Sequence, residues 1–278
     1  MYFRPKTLLE ATQTLAGEHA QILSGGTDFF PALGERCVQG AVLDVSGISE
    51  LKGITREENH LRIGGLTTWS EIVAAPLPRC LDALKLAARE VGGVQIQNRG
   101  TIAGNLCNAS PAADGVPPLL ALNAEVELSS THGTRFLQLS EFITGNRKTL
   151  RRANEILSCV RVPLGLEHAA STFLKLGARR YLVISIAMVA VVLKVDAAGH
   201  ISDARAAVGS CSGKAQRLTE LEHDLIGARA RAGIGSIAQE RHLSPLSPIS
   251  DVRATADYRL SAALTLLARA LDNCAGSC

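Results

Sequence analysis

The chain has no excess of one charge. It carries 29 Lys and Arg against 26 Asp and Glu, a net charge of +3, so no nucleic-acid footprint is expected. It has no Cys-x-x-Cys pair. Its seven cysteines, at positions 37, 80, 107, 159, 211, 274 and 278, are widely spread and odd in number. A zinc or iron–sulfur site within this chain is therefore not expected. The seven histidines show no ligand spacing. No apolar run is long enough to span a membrane; the longest, Tyr181 to Leu193, contains Ser185 and reads as a buried strand or core helix. Met1 to Lys6 carries no apolar signal core, so reduced cysteines and a cytoplasmic location are expected. Cys274 and Cys278 fall in a Gly/Ser tail that reads as loose. Aromatics are scarce, at 4%, and the core must be largely aliphatic.

What is present is a rhythm of short elements over 278 residues, enough for one large core or two to three small ones. Thr7 with Glu10 predicts a capping box ahead of a helix to about Gly17. Strands are predicted at Ala20–Leu23 and Ala41–Val45, with a short helix from Phe29 to Leu33. Further strands are predicted at His60–Gly64, Ala124–Leu128, Thr134–Leu137 and Glu155–Val162, and helices at Trp69–Ala75 and Leu81–Val91. Gly165 to Ala170 reads as a linker. Beyond it lie strands at Ser171–Leu176 and Ile201–Val208, helices at Leu218–Ile226, Ile234–His242 and Ala256–Leu271, and a segment, Ile184–Val195, that fits helix or strand.

Two glycine motifs interrupt this rhythm. Ser24-Gly-Gly-Thr-Asp28 follows a strand and precedes a helix, where backbone amides can be turned toward a phosphate. Gly100-Thr-Ile-Ala-Gly-Asn105 lies in a long polar stretch, Gln95 to Asp114, that reads equally as a ligand-wrapping loop or an ordinary one. Neither matches the standard nucleotide fingerprints. Together they suit an extended ligand with a diphosphate.

The combination of Leu23-Ser-Gly-Gly-Thr-Asp28, Gln97-Asn-Arg-Gly-Thr-Ile-Ala-Gly-Asn105, Ala109-Ser-Pro-Ala-Ala-Asp114, Phe173-Leu-Lys175 and Asp251-Val-Arg253 with Tyr258-Arg259 resembles the FAD-binding medium subunit of the molybdenum hydroxylases, the xanthine dehydrogenase and carbon monoxide dehydrogenase family. The resemblance runs through essentially the whole chain in the family's order. It implies an α+β fold of the PCMH/vanillyl-alcohol-oxidase type. Two FAD-binding subdomains, 1–53 and 54–166, would be followed by a C-terminal α+β domain, 167–278. It implies an oxidoreductase subunit with FAD in this chain. [2Fe-2S] clusters would lie in a small partner and the molybdopterin cofactor in a large one, as a dimer of heterotrimers. Electrons would pass from the clusters through FAD to NAD or another acceptor. No nucleic-acid partner and no membrane insertion are implied. The alternative is a self-sufficient flavin oxidoreductase of the same fold.

The resemblance also assigns residues. Ile22, Leu23, Ser24, Gly25, Gly26, Thr27 and Asp28 match the first pyrophosphate loop. Thr101, Ala103, Gly104 and Asn105 match the second, with Asn108 and Asp114 at polar positions nearby. A ribose or ribityl hydroxyl is the expected partner of Asp114. Leu157 matches a backbone contact, and Lys175 a position at the isoalloxazine edge. Tyr181 reads equally as a ring contact or a core residue. No catalytic residue and no metal ligand are implied. Ser24 stands where the family usually has Ala, Ala103 where it has Gly, Gln97 where Arg is common, and Val183 where an Asp often precedes Ile-Ser. Trp69 reads as core or interface, Cys107 as a small buried thiol, and Arg147-Lys148 with Arg151-Arg152 as a solvated loop.

Overall fold

The structure is a computed structural model and describes residues 1–180 and 182–278. The chain opens as β1 (Tyr2–Phe3), α1 (Leu8–Gly17), β2 (Ala20–Leu23), α2 (Phe29–Leu33) and β3 (Ala41–Asp44). The three strands form a parallel sheet in the order β1-β3-β2. Parallel strands need crossover connections; α1 links β1 to β2, which flank β3, and α2 lies in the connection from β2 to its neighbour β3. Ala11 and Leu15 of α1, four residues apart, bury against Leu43 and Val45. Only half of the expected capping box forms. Thr7 Oγ1 accepts from the Glu10 amide at 3.2 Å, but the Glu10 carboxylate accepts from Lys6, at 2.8 Å, rather than from Thr7.

The second unit contains β4 (Ile54–Arg56), β5 (His60–Gly64), α3 (Trp69–Ala74), α4 (Asp82–Glu90), α5 (Val94–Gln97), α6 (Ile102–Asn108), α7 (Val116–Ala121), β6 (Glu125–Ser130), β7 (Gly133–Gln138), α8 (Leu139–Phe142), β8 (Ile143–Gly145), β9 (Lys148–Thr149) and β10 (Ile156–Pro163). Five of its strands make an antiparallel sheet in the order β4-β5-β10-β6-β7, and β8 with β9 make a separate hairpin. α3 has a complete capping box, Thr68 with Glu71. The polar stretch from Gln95 to Asp114 is not one loop. It holds α5, α6 and the turn between them. Thr101 caps α6, and Ile102 and Leu106 anchor it with fully buried side chains. Each such burial contributes about 1.5–3 kcal/mol. Seven residues with two apolar anchors are too few for a helical period to stand out from the polar composition. The Gly165–Ala170 segment is not a free linker either: Leu166 and Ala169 are buried in the second unit's core.

The third unit comprises β11 (Ala170–Leu176), β12 (Ala187–Val195), β13 (Ile201–Gly209), β14 (Gln216–Arg217), α9 (Thr219–Leu225) and α10 (Ala256–Ala275), with the strands antiparallel in that order. The apolar segment before Val195 is thus a strand. It reads as a continuous apolar run because both faces are covered. Val189, Val191 and Leu193 face the core containing Leu267 and Leu271 of α10, while Met188 and Ala190 pack on Ala83 and Ala87 of α4. The helix expected over Ile234–His242 is instead two short 3₁₀ turns, Ile234–Ile237 and Glu240–Leu243, with extended backbone at Ala238 and Gln239 between them. Gly235 there lies so close to α10 that a Cβ would collide with the Ala268 carbonyl. Docking on α10, rather than propensity, sets this segment. α10 runs past Leu271, so Cys274 is 1% exposed and not part of a loose tail; Cys278 is exposed. Among the described residues no helix is long and apolar enough to cross a membrane.

Candidate functional site

A cavity of about 940 Å³ opens between the first two units. That is at the upper end of ligand pockets, ~300–1,000 Å³. The loop after β2 forms one side, the end of β3 and α6 form others, and the β8–β9 hairpin and the start of β10 complete it.

The first glycine loop is built for close approach. A Cβ at Gly25 would collide with the Arg99 carbonyl, so the loop and the turn ahead of α6 touch backbone to backbone. Gly26 has φ +79 and lies under the Phe30 ring. The amides of Gly25, Gly26, Thr27 and Asp28 donate to nothing among the described residues. Successive unpaired amides in a tight turn make a concavity suited to an anion.

The second motif has a different chemistry. Its amides from Ile102 onward are committed inside the protein. Ile102 donates to the Thr67 carbonyl and Ala103 to the Gly65 carbonyl, both at 3.0 Å. Gly104 donates to Thr101 Oγ1 at 3.1 Å and Asn105 to the Thr101 carbonyl at 3.0 Å. Gly100, Thr101, Ala103, Gly104 and Asn105 of the motif line the cavity. Asn105 Oδ1 is buried without a hydrogen-bond partner, an expensive state unless a ligand donor meets it. Ser24 Oγ and Thr101 Oγ1, 2.8 Å apart, tie the two motifs together. The hydroxyl at position 24 is therefore a cross-link, a role the usual Ala has no atom to fill. Ala103 lies in α6 and is not among the left-handed residues. Its methyl is accommodated by Gly65, where a Cβ would stand 3.1 Å from it and closer still to the Leu157 carbonyl.

Most residues assigned from the resemblance meet here. Ile22, Ser24, Gly25, Gly26, Thr27 and Asp28 line the cavity, as do Thr101, Ala103, Gly104, Asn105, Asn108 and Leu157. Leu23 does not line it; its carbonyl accepts from the Val45 amide at 3.0 Å, continuing the pairing of β2 with β3. Asp114 and Lys175 are not among the residues lining it and are paired with each other. Their charges meet at 2.8 Å, with side chains 9% and 6% exposed. Lys175 also donates to the Glu90 carbonyl at 3.2 Å, and Ser185 Oγ to Asp114 at 3.0 Å. Burial pushes the Asp114 carboxyl up, while the Lys175 ammonium and Ser185 hydroxyl pull it down. The pair joins the second unit to the C-terminal sheet, a contact between residues 61 apart that no local pattern announces. Tyr181 lies outside the described residues.

Other residues that line the cavity carry no site role in the resemblance. Trp69, read as core or interface, is 1% exposed yet forms part of the wall. Arg147, Lys148 and Arg151, read as a solvated loop, line the side formed by the hairpin. Their spacing was visible, but nothing local showed that the β8–β9 turn folds back over α6. Cys107 also lines the cavity, and burial pushes its thiol up to about 11, so it is protonated near neutrality. Among the described residues no group of His, Cys, Asp and Glu is arranged to hold a metal.

Comparison with known proteins agrees with this geometry. Residues 1–165 match the family model described as the FAD binding domain in molybdopterin dehydrogenase, and residues 172–274 match the CO dehydrogenase flavoprotein C-terminal domain. The nicotinate dehydrogenase FAD-subunit of Eubacterium barkeri is 37% identical over 236 residues, 82% of this chain and 79% of the relative. A putative xanthine dehydrogenase FAD-binding subunit of Escherichia coli K12 is 32% identical over 276 residues, 98% of this chain and 94% of the relative. Among solved structures, a chain of carbon monoxide dehydrogenase from Hydrogenophaga pseudoflava superposes with a TM-score of 0.90 at 28% identity, covering 99% of this chain and 96% of that one.

Proposed function

The chain belongs to the family of FAD-binding domains of molybdopterin dehydrogenases, and on that premise we propose that it is the FAD-carrying medium subunit of a multi-subunit molybdenum hydroxylase. In that role it would serve electron transfer between a [2Fe-2S] partner subunit and an external acceptor, with substrate oxidation at a molybdopterin centre in a large subunit. The observation that carries the reading is one cavity lined both by Asn105, whose Oδ1 is unpaired among the described residues, and by Gly25 to Asp28, whose amides are likewise unpaired. This acceptor and these donors suit a ligand that has hydroxyl or imide donors at one part and a diphosphate at another. The residues present therefore fit FAD.

The chain's own groups would act by binding and orientation. Gly25, Gly26, Thr27 and Asp28 would donate backbone N–H groups to phosphate oxygens, with the Thr27 hydroxyl as a further donor. Thr101 would hold the first loop in position through Ser24. Asn105 Oδ1 would accept from the ligand, while Ala103, Gly104 and the Leu157 backbone would close the wall. Asp114 and Lys175 would fasten the C-terminal sheet against the second unit. When bound, FAD supplies the exchange between one-electron and two-electron chemistry that the protein side chains lack.

The test is purification of the chain with its genomic partners. It should be yellow, release FAD on denaturation, and co-purify with subunits bearing [2Fe-2S] clusters and molybdopterin. A colourless chain that takes up no added FAD would refute the cofactor. A yellow monomer that oxidises an organic substrate alone would refute the subunit role and favour a self-sufficient oxidoreductase.

A further inference from the structure

The hairpin that walls the cavity has an unexpected residue at its tip. β8 and β9 pair Gly145 with Lys148, which leaves Asn146 and Arg147 as the turn. Arg147 takes φ +54, in the left-handed region. Glycine and asparagine favour such turn positions, and arginine gains nothing there from its backbone. The preceding Asn146 is not among the left-handed residues. The strain falls on a residue that lines the cavity.

Two bonds hold that residue. Its amide donates to the carbonyl of Ala109 at 2.9 Å, and its Nη1 donates to Asn108 Oδ1 at 2.7 Å. Ala109 is the left-handed C-cap of α6, with φ 47. The hairpin tip is thus stapled to the C-terminal end of α6, where a cation is favoured. The bond to Asn108 uses one of the five guanidinium donors, and no other hydrogen bond among the described residues engages the rest. The neighbouring Arg151 is different: its Nη1 is spent on the carbonyls of Arg152 and Glu155, at 3.0 and 2.8 Å. Three cations line the cavity against one carboxylate, Asp28.

We propose that Arg147 is a diphosphate-binding residue of the cavity and that Asn108 is its positioning residue, an inference that rests on the reading of the cavity as the FAD site. A planar fork aimed at phosphate oxygens is the chemistry that guanidinium supplies and glycine does not. It explains why a strained turn keeps arginine. It also reassigns Asn108, whose side-chain oxygen serves Arg147 rather than the ligand.

The decisive variant is Arg147→Gly, because it removes the guanidinium and relieves the left-handed strain together. FAD affinity of the apoprotein, read by flavin fluorescence quenching, should fall about ten- to a hundred-fold. Its dependence on NaCl should flatten. The thermal midpoint of the apoprotein should stay level or rise. Arg147→Lys should recover part of the affinity through charge alone. Asn108→Ala should weaken FAD binding in the wild-type background and have no further effect in Arg147→Gly. An Arg147→Gly variant that keeps wild-type FAD affinity and salt dependence overturns the proposal. So does one whose apoprotein melts lower in proportion to its lost affinity. A wild-type chain that binds no FAD overturns the cavity reading itself, and so separates that failure from this one.

Discussion

The two glycine motifs look alike as sequence and behave differently as structure. Ser24 to Asp28 is held at its edges, and among the described residues the amides of Gly25 to Asp28 are unpaired. Gly100 to Asn105 enters a helix, and its amides from Ile102 onward are bonded to Thr67, Gly65 and Thr101. The first is a cradle and the second is the frame that holds it. The difference lies in where partners stand: the second motif lies beside the strand end at Gly64 and the turn after it, while the first stands at the edge strand of a small sheet. A glycine in a cradle is needed for what it leaves open. A glycine in a frame is needed only where another chain segment presses on it.

That contrast can be broken by experiment. The largest effect is expected at Gly25→Ala. The methyl has no space beside the Arg99 carbonyl, so the two motifs must part. Overpacking of this kind costs about 1–3 kcal/mol, and FAD retention should be lost. Visible flavin absorbance after gel filtration and the thermal midpoint report both; normal flavin content would refute the contact. Thr101→Ala comes next. It removes the cap of α6 and the tie to Ser24, at a cost of about 1–2 kcal/mol by chemical denaturation, with weakened FAD binding. Full stability in that variant would mean that the tie carries nothing.

Asn105→Ala sharpens the comparison from the ligand's side. The apoprotein should lose less than about 1 kcal/mol, because the truncated oxygen was unpaired, while FAD affinity should fall about tenfold. Equal loss with and without FAD would show that Asn105 serves the fold alone. The smallest effect is expected at Gly104→Ala. Its Cβ would stand 3.0 Å from Thr101 Oγ1, a tight contact, but alanine gains up to about 1 kcal/mol over glycine within a helix. Flavin content should survive. If Gly104→Ala were as damaging as Gly25→Ala, the division into cradle and frame would fail.

Much of the architecture was legible in the sequence because it rests on local patterns. β2, α2, β3, β5 and α3 fall at or within a residue of the expected bounds, each marked by alternation, a cap or a glycine stop. The misreadings share a cause. α6 was hidden by its polar composition, the Ile234–His242 segment was shaped by α10, and Cys274 was buried by a helix that continued past its last leucine. The cavity shows the same split. Its glycines and amides were visible as motifs, whereas Trp69, Arg147 and Arg151 entered the wall only because distant segments fold across it.

By itself the sequence determined the order of the elements, the two motifs and the family they identify, because turn residues, caps and apolar periods act over a few positions. Tertiary structure alone decided which donors remain unpaired. The same Gly-containing motif is a donor surface in one place and a closed frame in the other, because Gly65 and Thr67 reach one and, among the described residues, no acceptor reaches the Gly25 to Asp28 amides of the other. It also decided that Asp114 and Lys175 face each other, since charge in a buried site settles on the nearest opposite charge, and nearness there is set by the packing of two units.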